Sequence, residues 1–150
     1  MKNILGGKST MKVKDLMTSN VQYVRPDTSL EEIAQYMRQN DVGSIPVCND
    51  NKEVVGIVTD RDIVLRAVSQ GSPNMTARDV MSSNLVYADS NTNAHEAASL
   101  MAKNQIRRLP VVDNNQLVGM LAMADIARKN IYVDEAGDAL SAISKPNQFS

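Results

Sequence analysis

The sequence predicts a mixed α/β fold built from two similar units. Two observations carry this prediction: the chain aligns with itself, and each half alternates helix-like with strand-like segments. When Val13–Asn51 is placed over Ala77–Asn115, 13 of 39 positions are identical, including Asp15/Asp79 and Pro46/Pro110. Ordered identity at this density is the signature of an internal repeat.

Each repeat predicts the same order of elements. A helical turn (VKDLM or ARDVM) precedes a short strand (VQYV or LVYA) and an amphipathic helix over 28–40 or 92–104. Thr28 or Ser29 is placed to cap the first of these helices. Two strands then form an antiparallel hairpin, SIPVC with EVVGIVT and RLPVV with QLVGMLA. A closing helix runs from Asp60 to about Gln70, and from Met123 to about Tyr132 in the second copy.

The predicted domain organisation is a flexible segment 1–10, a first repeat 11–71, a second repeat 72–132 and a tail 133–150. In the tail, Ala136, Ala139, Leu140 and Ile143 are at helical spacing, which favours an amphipathic helix. A unit this small buries little surface alone. We therefore expect the two units to pack sheet to sheet across a pseudo-twofold axis, leaving clefts of the kind that bind small ligands.

Composition excludes several classes of function. The net charge is −1, from 16 basic and 17 acidic residues, and there is one Phe and no Trp, so nucleic-acid binding is not expected. No apolar run approaches the roughly 20 residues that span a bilayer. The opening residues MKNILGGKST lack the continuous apolar core that is typical of a secretory signal, and a single cysteine forms no internal disulfide. These features predict a cytoplasmic protein.

Catalytic and metal chemistry are poorly supported. One histidine and one cysteine cannot build a His/Cys metal site or a histidine-based triad. Cys48 lies in an apolar run and is expected to be a buried, inert thiol, and His95 to be solvated or to take part in capping. Met37 and Met101 occupy equivalent core positions, so packing is favoured over metal binding. We expect no enzyme, no catalytic residue and no metal.

The stretch GIVTDRDI, which contains Thr59 and Asp62, allows two interpretations. Thr59 can be the N-cap of the closing helix, with Asp62 completing a capping box. Alternatively, the Thr59 hydroxyl, the Asp62 carboxylate and the free N–H groups of the helix N-terminus can contact a ligand. The two roles can coexist. In the second copy, GMLAMADI, Ala122 replaces the threonine, whereas the aspartate is kept as Asp125.

These motifs resemble the CBS domain family, named for cystathionine β-synthase, whose tandem pair is also called a Bateman module. The resemblance rests on DLMT and DVMS, GSIPV and RRLPVVD, and GIVTDRDI with GMLAMADI. It implies β-α-β-β-α units with two pseudo-symmetric clefts, and an adenosine-containing ligand such as AMP, ADP, ATP, S-adenosylmethionine or NAD. Family members often regulate an attached enzyme or channel. Segments 1–10 and 133–150 are too short for such a domain, so we expect a separate effector protein.

The resemblance also assigns residues to two unequal clefts. It implies that the Asp62 carboxylate accepts both hydroxyls of a ribose, while Thr59 and the helix N-terminus contact ribose or phosphate. Asp125 could still accept a ribose diol in the second copy. Arginines precede the strand proline in the second repeat, where Gly43 and Ser44 stand in the first. Alone, such arginines are more often solvated, but paired with the ribose motif they suit a phosphate. The main nucleotide cleft comprises Thr59, Asp62, Asn84, Leu85, Val86, Ile106, Arg107, Arg108 and Pro110. The second, degraded cleft comprises Asn20, Val21, Val42, Gly43, Ser44, Pro46 and Asp125.

The leading hypothesis is a non-enzymatic adenine-nucleotide sensor that forms a homodimer. The alternative is a ligand-free interaction module whose repeats only supply a dimer surface. In the first repeat, the Thr59 hydroxyl and the Asp62 carboxylate favour ligand sensing. In the second repeat Ala122 replaces the threonine, so the ligand-free alternative stays open for the second cleft.

Overall fold

The computed structural model describes residues 11–71 and 74–128. They form two compact units. The first unit contains Gln22–Leu85 and Asn114–Leu117, and the second contains the described residues 11–21, 86–113 and 118–128. Both mix helices with a small antiparallel sheet of two strands, which confirms the predicted fold class.

The first unit follows the predicted order of elements after its opening strand. Its elements are α1 (Leu30–Asn40), β1 (Ser44–Cys48), β2 (Val54–Thr59), α2 (Asp60–Asp62), a π-helical segment (Ile63–Val68) and α3 (Ala77–Val80). The closing helix predicted from Asp60 to about Gln70 is therefore present to Val68, most of it as a π-helix.

The elements built from the second repeat follow the same plan. They are α4 (Ala94–Asn104), β3 (Arg108–Asp113), β4 (Gln116–Ala122) and α5 (Met123–Ala127), and a 3₁₀ turn (Val13–Asp15) belongs to the second unit. The end of the second closing helix, the N-terminal segment 1–10 and the tail helix predicted within 133–150 lie outside the described residues.

Short polar side chains begin the two long helices, and the Ser29 cap of the first is one of the two that the sequence predicts. Ser29 caps α1 by accepting a hydrogen bond from the backbone N–H of Glu32 at 3.2 Å. Asn93 caps α4 by accepting from the backbone N–H of His95 at 2.8 Å, which also places His95 in the first turn of that helix. These caps satisfy donors that a helix start leaves without partners.

The short strand predicted at the start of each repeat is reduced to a single bridging residue, Val24 or Ala88, so this prediction is wrong. Val24 N–H donates to the Pro46 carbonyl at 3.0 Å, and Cys48 N–H donates to the Val24 carbonyl at 2.8 Å. Extending this parallel ladder toward the N-terminus would need an N–H on Pro46, which proline lacks. In the second repeat, the Ala88 N–H donates to the Pro110 carbonyl at 3.1 Å. Because Pro110 also lacks an N–H, this ladder ends at the same point.

Each unit has its own apolar core. In the first unit, Ile33 of α1 packs with Ile45 and Val58 of the hairpin. In the second, Met101 of α4 packs with Leu109 and Leu121. All six side chains are at most 1 % exposed. The helices and strands are thus held by apolar faces that match the periodicity of the sequence.

The opening helical turn of each repeat contributes to the core of the unit that holds the other repeat's helix and hairpin. Val13 and Leu16 pack in the second unit, whereas Ala77 and Val80 pack in the first. All four are buried. The compact units therefore do not follow the linear order of the repeats.

No helix in the described part of the chain is both long enough and apolar enough to cross a membrane.

Candidate functional site

The turn between β2 and α2 is fixed by two reciprocal hydrogen bonds. Thr59 Oγ1 accepts from the backbone N–H of Asp62, and Asp62 Oδ2 accepts from the backbone N–H of Thr59, each at 3.0 Å. This is a complete capping box, so the capping interpretation is confirmed. It also holds the Asp62 carboxylate in one orientation at the start of the helix.

Capping occupies only one of the two carboxylate oxygens of Asp62. The other, Oδ1, lies 3.9 Å from Arg66 Nε, a distance beyond hydrogen-bond range. Within the described part of the chain, Oδ1 accepts no hydrogen bond, and the side chain keeps 16 % of its surface exposed. A carboxylate oxygen has two acceptor sites, so Asp62 remains able to receive hydroxyl donors while it caps the helix.

Arg66 is a neighbour of Asp62 that reading the motif alone missed. Its Nη1 donates to the carbonyl of Val80 at 3.1 Å and lies 3.4 Å from that of Met81. The guanidinium thus links the π-helical segment to the end of α3. The i, i+4 spacing of Asp62 and Arg66 was the available sequence signal for this neighbour.

The residues that follow α3 lie alongside β2. Ile57 and Ser82 exchange backbone hydrogen bonds, with Ile57 N–H donating at 3.0 Å and Ser82 N–H donating at 2.9 Å. Asn84 and Leu85, predicted to line the adenine subsite, come directly after this pair in the same unit. Asn84 is exposed and Leu85 is half-buried. The first unit therefore ties the segment leading to these two residues to the strand that ends at Thr59.

The equivalent carboxylate of the second repeat is more fully occupied. Asp125 Oδ2 accepts from the backbone N–H of Ala122 at 2.9 Å, and Oδ1 is bonded directly by Arg128 Nη2. Ala122 contributes no side-chain cap. Asp125 thus has both oxygens engaged, whereas Asp62 has one.

Gly43 and Arg107 occupy equivalent positions with different neighbours. The Gly43 carbonyl accepts from the N–H of Asp60 at 2.9 Å, and a Cβ on Gly43 would lie 3.0 Å from Asp60 Oδ2. In the second repeat, the Arg107 carbonyl accepts from the N–H of Met123 at 2.8 Å. Where the first repeat has Asp60, the second has Met123. The Asp60 carboxylate therefore has no equivalent beside the backbone of Arg107. The two repeats therefore present an acidic and a basic surface at this point.

The predicted site residues are divided between the two units. The first unit holds Thr59, Asp62, Asn84 and Leu85 of the main cleft and Val42, Gly43, Ser44 and Pro46 of the second. The second unit holds Val86, Ile106, Arg107, Arg108 and Pro110 of the main cleft and Asn20, Val21 and Asp125 of the second. Arg107 is exposed and Arg108 is half-buried.

Other reactive groups offer little chemistry. Cys48 is fully buried, and burial raises the pKa of its thiol to about 11, although Lys52 and Arg25 act in the opposite direction. A thiol in that state is a poor nucleophile at neutral pH. Among residues 11–71 and 74–128, no group of three or more His, Cys, Asp or Glu side chains is arranged to hold a metal ion.

A surface pocket of about 260 Å³ lies on the second unit, beside α4. It contains none of the residues predicted for either cleft. Its lining is Tyr87, Ala88, Thr92, Glu96, Ser99, Leu100 and Lys103.

Comparison with known proteins places this arrangement in a family. The model of the CBS domain matches twice, over residues 13–69 and 77–132. The chain belongs to the CBS domain family. It is 44 % identical over 136 residues to the CBS domain-containing protein YhcV of Bacillus subtilis. The alignment covers 90 % of this chain and 96 % of YhcV.

Two similar solved structures contain adenosine compounds. CBSX2 in complex with AMP has a TM-score of 0.71 and 28 % identity, covering 82 % of this chain and 98 % of that one. The CBS domain pair of protein MJ0100, in complex with 5′-methylthioadenosine and S-adenosyl-L-methionine, has a TM-score of 0.71 and 27 % identity. That match covers 79 % of this chain and 94 % of the other. This chain is likewise a CBS pair.

Proposed function

We propose that this CBS pair is a non-enzymatic sensor that binds an adenosine-containing ligand and acts on a separate effector protein in the cytoplasm. The observation that carries the proposal is the Asp62 carboxylate, which the capping box fixes while Oδ1 stays available. A ribose presents two adjacent hydroxyl donors, and an ionised carboxylate is a strong acceptor for both. The AMP complex of CBSX2 and the adenosyl complexes of MJ0100 support this ligand class.

Thr59 contributes to the same ribose or phosphate contact. Its hydroxyl oxygen accepts from Asp62 N–H, which leaves the hydroxyl proton free to donate. The second repeat lacks this donor because Ala122 stands at the equivalent position. This difference supports assigning the competent ribose contact to the first repeat and a degraded one to Asp125.

Charge supports the assignment of a phosphate contact to the second repeat. Arg107 and Arg108 are the basic counterparts of Gly43 and Ser44, and charge-assisted hydrogen bonds from arginine suit phosphate oxygens. The remaining residues proposed for the adenine surroundings are mostly apolar: Asn84, Leu85, Val86, Ile106 and Pro110. Arg107→Ala should therefore weaken AMP more than adenosine.

A second candidate function is a ligand-free homodimerisation module. The observation in its favour is a set of exposed apolar side chains on the π-helical segment: Val64, Leu65 and Val68 are 55 %, 51 % and 68 % exposed. Adjacent exposed aliphatic residues favour association. We propose that these residues contact a second copy of the chain, and a dimer is compatible with sensing.

A thermal-shift screen of AMP, ADP, ATP, S-adenosylmethionine and NAD tests the proposed function. A ligand that binds only the folded state stabilises it by about 2.7 kcal/mol at a hundredfold excess over Kd. We expect at least one of these compounds to raise the melting temperature in a concentration-dependent way, with inosine 5′-monophosphate as the control for the base. If none does so, the ligand-free module becomes the better account.

A further inference from the structure

Each repeat places an arginine near its aspartate, but at a different spacing. In the first repeat Arg66 stands four residues after Asp62, and in the second Arg128 stands three residues after Asp125. Three residues after the aspartate, the first repeat has Leu65 and the second has Arg128. The two carboxylates consequently meet their arginines in different ways.

At the longer spacing, the guanidinium is held by the backbone. Arg66 Nη1 donates to the Val80 carbonyl and approaches that of Met81, which directs the hydrogen-bonding end of the side chain toward α3. Its Nε remains 3.9 Å from Asp62 Oδ1. The positive charge therefore lies beside the carboxylate without forming a hydrogen bond to Oδ1.

At the shorter spacing, the arginine binds the carboxylate itself. Arg128 Nη2 donates directly to Asp125 Oδ1, while Oδ2 is already bonded to the Ala122 N–H. A diol would have to compete with the arginine for this oxygen. Because the Arg128 side chain is 70 % exposed, such a contact is weakened by solvent but still occupies the acceptor.

We propose that Arg66 is a positioning residue for the ribose contact. Its bonds to the Val80 and Met81 carbonyls keep its cation near Asp62 and leave Oδ1 open to hydroxyl donors. Arginine at the neighbouring position would instead close the carboxylate, as Arg128 does for Asp125. This inference rests on the proposed binding of an adenosine ligand through Asp62, and it adds the residue that decides whether this carboxylate can accept a diol.

The double substitution Leu65→Arg/Arg66→Leu tests the inference with composition and net charge unchanged. Leu65 is 51 % exposed, and the Arg66 side chain is 50 % exposed, so the exchange does not disturb the core. Because Leu65 is also proposed to contact a second copy of the chain, Leu65→Gln, which keeps Arg66, is titrated with the same probes as the control. The probes are AMP and 2′,3′-dideoxyadenosine 5′-monophosphate, which lacks both ribose hydroxyls. Calorimetry gives the ratio of their dissociation constants for each protein.

For the wild type, we expect AMP to bind at least about tenfold more tightly than the dideoxy compound, since hydrogen bonds to a charged group are lost. For the exchanged variant, the ratio should fall close to one. Arg66→Met removes the link to α3 and the cation beside Asp62 but leaves Oδ1 open, so it should lower the ratio less than the exchange does. If Arg66 acted only through folding, its substitution would weaken the binding of both compounds equally and leave the ratio of their dissociation constants unchanged.

The outcomes separate this inference from the proposed function. If the wild type binds neither probe, nor any other adenosine compound, the proposed function fails. If the wild type distinguishes the probes and both folded variants do so equally well, the function stands and the role of Arg66 is overturned. If the exchanged variant does not fold, the Arg66→Met ratio decides the result by itself.

Discussion

The side chain of Met81 lies directly over Gly56, so that a Cβ on Gly56 would come within 2.6 Å of the Met81 sulfur. Met17 lies over Gly119 in the same way, and there a Cβ would also meet the Thr18 carbonyl at 3.0 Å. Each contact joins the opening turn of one repeat to the second hairpin strand of the other, within one compact unit. The glycine in both GIVTDRDI and GMLAMADI is thus explained by a close approach of a methionine side chain.

Alanine at these glycines should destabilise the protein unequally. A methionine side chain can move more freely than a bonded backbone carbonyl, so Gly56→Ala should cost less than Gly119→Ala. Gly119→Ala should cost about 1–3 kcal/mol, because the Thr18 carbonyl is held by its bond from the Met120 N–H and cannot move as freely. Urea denaturation of the two variants measures both values. A larger loss for Gly56→Ala would contradict this account.

Changing the caps of the closing helices should shift stability in opposite directions. Thr59→Ala removes the acceptor for the Asp62 N–H and should cost about 0.5–2 kcal/mol, whereas Thr59→Ser should retain most of the cap. Ala122→Thr offers the same acceptor to Asp125 and should add about 0.5–1 kcal/mol. Thermal unfolding without ligand provides the comparison. Equal stability of the Thr59→Ala and Thr59→Ser variants would argue against the cap.

The bond between Ser90 and Asp113 predicts a pH-dependent contribution to stability. Ser90 Oγ donates to Asp113 Oδ2 at 2.6 Å, and Ser90 N–H donates to Oδ1 at 2.9 Å. These bonds, with a smaller contribution from Lys14, lower the pKa of Asp113, although burial opposes them. A carboxyl group whose pKa is lowered by folding stabilises the protein above its unfolded pKa, about 3.9, and loses that contribution as the pH falls through the folded value.

Ser90→Ala should therefore destabilise the protein at neutral pH, and its deficit should shrink as the pH falls below about 4. Ser83→Ala, at an exposed position, is the matched control. Denaturant midpoints measured from pH 7 down to the acid limit of folding give both curves. A deficit that is constant across this range would show that the Asp113 charge is not involved.

The proposed homodimer predicts a mass change on substitution of Leu65. The wild type should have twice the 16.4 kDa mass of one chain at tens of micromolar, and Leu65→Glu should shift it toward 16.4 kDa. A charge placed in an apolar contact loses hydration without gaining a partner. Gln70→Glu, which adds the same charge at an exposed polar position nearby, is the control. Light scattering that finds a monomeric wild type would contradict the proposal.

Local patterns explain what could be predicted from the sequence. The Thr59–Asp62 box, the Ser29 cap and the two hairpins depend on residues within a few positions of one another, where side-chain type limits the backbone. The shortened opening strands could also have been predicted, because Pro46 and Pro110 lack the donor that a longer ladder requires.

The missed features depend on distant contacts or on helix geometry. Arg66 binds a carbonyl 14 residues away, and only the folded unit brings α3 to it. The π-helical form of Ile63–Val68 leaves no distinct periodicity in so short a segment. The direct contact of Arg128 with Asp125, unlike the more distant approach of Arg66 to Asp62, depends on side-chain direction. The sequence spacing of an aspartate and an arginine on a helix indicates that they are neighbours, but it does not show whether the arginine bonds a carboxylate oxygen.

Calorimetric titration of AMP into the wild type, Asp62→Asn and Asp125→Asn tests the central claim most directly. Asparagine at either position can still accept from the backbone N–H that the carboxylate now caps, so the substitution removes charge while retaining an acceptor. The account predicts that Asp62→Asn weakens AMP binding by about tenfold or more, while Asp125→Asn leaves it nearly unchanged. Loss of binding in Asp125→Asn with normal binding in Asp62→Asn would contradict it.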